Sequence, residues 1–139
     1  MLRKLLCVLI ILLMGVCLTA CDNKLNGIII FNRNPITKDN VLDNANEFPA
    51  GKKFYYIFMT EKPVESEIIR VRIYKRAGTP VSMPITLVYS NDFKLQKEQV
   101  YYYNDYMVFY QPGEYFMAIY ERDDMRKPMA RNSFKITEY

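Results

Sequence analysis

The sequence predicts an all-β fold, a sandwich or small barrel of about seven to eight strands, and three observations lead there. Helical periodicity is scarce along the 139 residues; short runs rich in Ile, Val, Tyr and Phe recur between turn signals; and one of those runs alternates strictly between apolar and polar residues. Half the residues are apolar and 24% are charged, a balance that excludes a wholly disordered chain and suits one ordinary domain.

Residues 27–31 read as the first strand. The polar stretch that follows, 32–51, is long for a loop and has room for a short edge strand or a helical turn around 41–45. Residues 53–60 form the second strand, Lys62-Pro63 turns the chain, and 67–76 is the third, ended by Ala77-Gly78-Thr79-Pro80. Residues 84–89 are the fourth. Asn91-Asp92 starts a turn, 99–103 gives a short fifth strand, and Asn104-Asp105 leads into a sixth at 106–110. Gln111-Pro112-Gly113 connects tightly into 114–121. Asp123-Asp124 and Lys127-Pro128 then bring the chain round to the closing strand, 130–137.

The N-terminal segment has a different character. Arg3 and Lys4 precede an uninterrupted apolar stretch, 5–18, and the small residues Thr19 and Ala20 come just before Cys21. The stretch is shorter than the roughly 20 residues a helix needs to cross a bilayer, and the layout is that of a cleaved secretory signal peptide over 1–20. Leu18-Thr19-Ala20-Cys21 resembles the lipobox of bacterial lipoproteins. That resemblance implies a Cys21 thiol linked to diacylglycerol, cleavage just before it, and an acylated amino group, which together exceed the two-anchor threshold for stable membrane attachment. Asp22 resembles a retention signal for the inner membrane in the enterobacterial sorting convention. A plain signal peptide or an uncleaved anchor is the alternative. Residues 21–26 then comprise the lipidated cysteine and a short tether reaching at most about 3.5 Å per residue. Residues 27–139 form one domain on the periplasmic or outer face of a cell-envelope membrane.

Residues 106–136 carry a second resemblance. A strand, then Pro112-Gly113-Glu114-Tyr115, then Tyr115, Met117 and Ile119 in alternation, then a polar turn and a strand with Phe134 and Ile136, resemble the last three strands of immunoglobulin-like and fibronectin-III-like domains. This implies an antiparallel Ig-like β-sandwich in which the tyrosine hydroxyl bonds back to the preceding corner. The cysteine pair and core tryptophan of antibody domains are absent.

Composition narrows the chemistry. The chain has no His, and of its three cysteines Cys7 and Cys17 leave with the leader while Cys21 is modified, so no thiol or disulfide remains. Zinc sites, haem ligation by His and Ser-His or Cys-His nucleophiles lack their residues, and five glycines leave no phosphate-binding loop. The expectation is a protein that is not an enzyme and carries no cofactor and no metal. Asn91-Asp92, Asn104-Asp105 and Asp123-Asp124 could in principle offer oxygen ligands to calcium, but turn formation accounts for them equally. Losing Arg3 and Lys4 lowers the formal net charge from +4 to about +2, which gives no nucleic-acid signal.

Binding is the remaining class. Alternation places Arg70, Arg72, Tyr74 and Arg76 on one face of their strand and Ile69, Val71 and Ile73 on the other. Seven tyrosines crowd residues 101–120, and there Tyr115, Met117 and Ile119 pointing inward puts Phe116, Ala118 and Tyr120 outward. Arginine and tyrosine are enriched at protein interfaces, so Arg70, Arg72, Tyr74, Phe116 and Tyr120 are the expected contact residues. An ordinary solvent face explains the arginines too, and the same stripe could meet anionic headgroups. The function these features suggest is a membrane-anchored, non-catalytic binding or assembly module with an envelope protein as partner. A small-ligand carrier for a lipid or sugar, or an inhibitor-like protein presenting 32–51 to a target enzyme, are the alternatives.

Overall fold

In a computed structural model, residues 25–77 and 84–139 are described; the leader, Cys21, Asp22 and residues 78–80 of the expected turn lie outside them. The described residues form eight strands: β1 (Gly27–Asn32), β2 (Glu47–Pro49), β3 (Lys53–Thr60), β4 (Ile68–Arg76), β5 (Ile85–Lys94), β6 (Tyr102–Val108), β7 (Gly113–Glu121) and β8 (Ala130–Thr137). They make a three-stranded sheet in the order β1-β3-β6 and a five-stranded sheet in the order β2-β8-β7-β4-β5. In immunoglobulin lettering these are A-B-E and a G-F-C sheet extended at both ends, so the chain is an all-β, Ig-like sandwich.

Alternation builds the core. Ile69, Val71 and Ile73 of β4 and Met117 and Ile119 of β7 are fully buried on the inner face of the larger sheet. The smaller sheet supplies Phe31, Phe54 and Phe58. Aromatic rings fill the space between the sheets: Phe48 stacks on Phe54 at 4.5 Å, Phe31 and Phe54 each lie 5.1 Å from Phe134, and Tyr115 stacks on Phe134 at 5.4 Å. Tilted and offset pairs of this kind add attraction beyond the area they bury.

The corner before β7 takes the expected form. The Tyr115 hydroxyl donates to the Gln111 carbonyl at 2.7 Å. Gly113 opens the strand at φ +149°, where a Cβ would come within 2.9 Å of the Lys75 side chain. Both constraints select the residue types found in Gly113-Glu114-Tyr115.

Several sequence expectations need correction. Asn91-Asp92 is not a turn: β5 runs through it to Lys94, because register with β4 and a contact from Asp92 to Arg70 outweigh turn propensity on an exposed edge strand. Asn104-Asp105 is likewise inside a strand, so the expected 99–103 and 106–110 merge into β6, paired along its length with β3. Two of the three proposed calcium loops are therefore strands. The short edge strand lies at Glu47–Pro49 rather than 41–45, and it pairs parallel with β8, so the sandwich is not antiparallel throughout. Burying Phe48 in the core fixes that position, and Pro49 is tolerated at an edge. The stretch before β2 is held by buried Asn32, whose side-chain amide donates to the Asn40 and Asp43 carbonyls at 3.1 and 3.0 Å.

The two outer faces differ. On the smaller sheet, register aligns Ile28, Met59 and Tyr102 in one row and Ile30, Ile57 and Asn104 in the next, followed by Asn32, Tyr55 and Tyr106. On the larger sheet the outer positions are mostly arginine, aromatic and polar.

Candidate binding face

Four cross-strand rows make up the outer face of the five-stranded sheet. Asp92, Arg70 and Tyr120 form the first; Ser90, Arg72, Ala118 and Arg131 the second; Leu87, Tyr74, Phe116 and Ser133 the third; Ile85, Arg76, Glu114 and Lys135 the fourth. Strict alternation in β4, β7 and β8 delivers these side chains to one surface, since the core claims every second residue.

At the centre, the Tyr74 and Phe116 rings stack at 4.8 Å with their planes 16° apart. The Arg76 guanidinium sits 5.3 Å from the Phe116 ring and that of Arg72 5.7 Å from the Tyr120 ring, distances at which cation–π attraction operates. Ile85 and Leu87 extend the apolar strip and are 55% and 47% exposed. Between Arg76, Phe116 and Arg131 lies a shallow depression of about 410 Å³.

Charges are unevenly satisfied. Arg70 grips Asp92 in a bidentate contact at 2.6 and 2.8 Å, and Arg122 adds a third bond at 3.1 Å. Those bonds, Arg70's first, hold the Asp92 carboxyl below the usual carboxylate range. Arg72 is different: its Nε is buried and has no acceptor among the described residues. Neither Arg76 nor Arg131 has a carboxylate partner among the described residues. Burial, then the neighbouring Tyr74 hydroxyl, pushes the Tyr120 hydroxyl above its ordinary value.

The five residues expected from sequence thus share one surface. Arg70 is committed to Asp92, while Arg72, Tyr74, Phe116 and Tyr120 form the centre. Sequence reasoning missed Arg131 and Lys135 of β8 and Ile85 and Leu87 of β5. The signal for the first pair was present, since Arg131, Ser133 and Lys135 alternate against Phe134 and Ile136. Among the described residues no group of three or more Cys, Asp or Glu side chains could hold a metal ion. The predicted anchor, Cys21, lies outside the described residues.

No protein-family model matches the chain. No curated protein matches it. Among solved structures, it is similar to the soluble domain of PmoD from Methylocystis sp. ATCC 49242 (Rockwell), at 15% identity over 80% of this chain and 90% of that one, with a TM-score of 0.47. It is also similar to an uncharacterized protein from Bacillus anthracis str. Ames, at 14% identity over 68% and 78%, with a TM-score of 0.45. A CARDB domain from Pyrococcus furiosus, solved with di-metal ions, is 10% identical over 84% and 94%, with a TM-score of 0.43. These likenesses are loose, and the fold assignment rests on the strand order itself.

Proposed function

We propose that this chain is a membrane-anchored bacterial lipoprotein whose sandwich is a non-catalytic binding module for a protein of the cell envelope. The observation that carries the binding half is the set of guanidiniums, Arg72, Arg76 and Arg131, standing without carboxylate partners among the described residues around the stacked Tyr74 and Phe116. Arginine and aromatic residues are enriched at protein interfaces, and aromatic anchors ringed by cations suit a partner segment with an apolar side chain flanked by carboxylates. The phenylalanine rings that fill the space between the sheets weigh against a small-ligand carrier. The anchoring half rests on the lipobox-like Leu18-Thr19-Ala20-Cys21.

Both halves are testable in one preparation. The mass of the N-terminal peptide should show cleavage before Cys21 and acylation, and Cys21→Ala should release the protein from membranes or leave it unprocessed. Mild detergent extracts run on native gels should contain the chain in a complex larger than itself, and Arg72→Glu with Arg131→Glu should disperse that complex. Unchanged migration of the double variant would remove this face as the binding site.

A further inference from the structure

The outer face of the three-stranded sheet has no charged side chain in its first three rows. Ile28, Ile30, Ile57, Met59, Tyr102 and Tyr106 occupy it, with Asn104 between, and Lys53 of the fourth row lays its ammonium over the Tyr106 ring at 4.0 Å. Ile28, Tyr102 and Tyr106 are 55%, 40% and 51% exposed. A soluble sandwich ordinarily gives such a face alternating polar residues, so a contiguous apolar sheet surface marks a contact.

Two features identify what it contacts. β1 is the first strand after the tether that begins at Cys21, the proposed lipid-modified position, and Ile28, the first outward residue of β1, begins the most apolar row, Ile28-Met59-Tyr102. Five residues separate Cys21 from Gly27, a reach of at most about 20 Å, so a lipid on Cys21 keeps this row within that distance of the bilayer surface. The end of the sandwich beside Asn26 is the other surface within reach. It carries Glu65, Glu121 and Asp124 together with Lys62 and Lys127, charges that favour water over lipid.

We propose that the domain lies on its side, with the outer face of the three-stranded sheet seated in the interfacial region of the bilayer that holds Cys21. Ile28, Ile57 and Met59 enter the boundary between headgroups and acyl chains, and the Tyr102 and Tyr106 hydroxyls stay at headgroup level, where aromatic residues with a polar tip concentrate. Because the sheets are opposite layers about 10 Å apart, this turns the Tyr74–Phe116 face away from lipid and toward a partner. The arginine stripe then does not meet the headgroups. This inference rests on the lipid anchor proposed above.

The chain contains no Trp, so a single introduced Trp reports one position. Full-length protein, processed in cells and carrying Tyr102→Trp or Ser133→Trp, is reconstituted into phosphatidylethanolamine–phosphatidylglycerol vesicles doped with a dibrominated phospholipid. The indole at position 102 should lose roughly half its emission, as expected for a residue at interfacial depth, and that at 133 should lose almost none. No quenching at 102 in protein whose N-terminal peptide is acylated overturns the docking alone, whether the face is open to water or covered by a second copy. An unacylated Cys21 overturns both the anchor and the docking. Ile28→Glu with Met59→Glu, which leaves the core face untouched, should abolish quenching of the 102 probe; undiminished quenching in that variant also overturns the docking.

Discussion

Tyr74 and Phe116 stack face to face at 4.8 Å on neighbouring strands, outside the hydrophobic core. Their stacking therefore adds little that the fold requires. Phe116→Ala should lower stability by about 0.5–1.5 kcal/mol, the ordinary worth of an aromatic pair, as read from the urea midpoint. If Phe116 anchors the partner, the same change should weaken association by about 2 kcal/mol or more, measured by titration once the partner is in hand.

Tyr115 bonds to the Gln111 carbonyl from an almost fully buried ring. Tyr115→Phe keeps the ring and removes the bond, so it should cost about 1 kcal/mol in urea unfolding with the m-value unchanged.

Tyr56 gives the opposite expectation. Its ring is fully buried and its hydroxyl has no hydrogen-bond partner among the described residues. Tyr56→Phe should leave stability unchanged or raise it by up to about 1 kcal/mol, because it removes a desolvated polar group that nothing compensates.

Alkaline pH should destabilise the fold. Burial pushes the Tyr56 hydroxyl far above the usual phenol range, and Tyr103, Asp105 and Tyr89 push it further. Burial, then Asp105, does the same to Tyr103. Below about pH 10 these phenols are neutral in both the folded and unfolded chain, and their contribution is fully present. Above it the unfolded chain ionises while the folded one cannot, so stability falls as pH rises. Absorbance at 295 nm should therefore show tyrosines whose ionisation appears only with loss of the near-ultraviolet circular dichroism signal. Full titration of all tyrosines before unfolding would contradict this.

Much of this was legible in the residues, and the omissions have physical reasons. Arg70-Val71-Arg72-Ile73-Tyr74 alternates between chemically different partners, so both faces of β4 were readable. Lys53-Phe54-Tyr55-Tyr56-Ile57-Phe58-Met59 does not: apolar residues occupy both sides of β3, and nothing in the run separates the core positions Phe54, Tyr56 and Phe58 from the exposed apolar face. That is why the surface proposed to meet lipid was not seen in advance. Asn91-Asp92 and Asn104-Asp105 misled because local turn preference was decided by strand partners elsewhere in the chain, β4 for one and β3 for the other. The pairing of β2 with β8 joins segments about ninety residues apart, which no local pattern encodes.

The central claim is that the Tyr74–Phe116 face binds an envelope protein. In-cell photo-crosslinking from a photoreactive phenylalanine analogue at position 74 of the full-length chain tests it most directly, with Tyr139, which is 97% exposed and off the face, as the control. The account predicts one recurrent protein adduct at 74 that is absent at 139 and lost when Arg72→Glu and Arg131→Glu are introduced. Lipid adducts at 74, or protein adducts indifferent to the arginines, would contradict it.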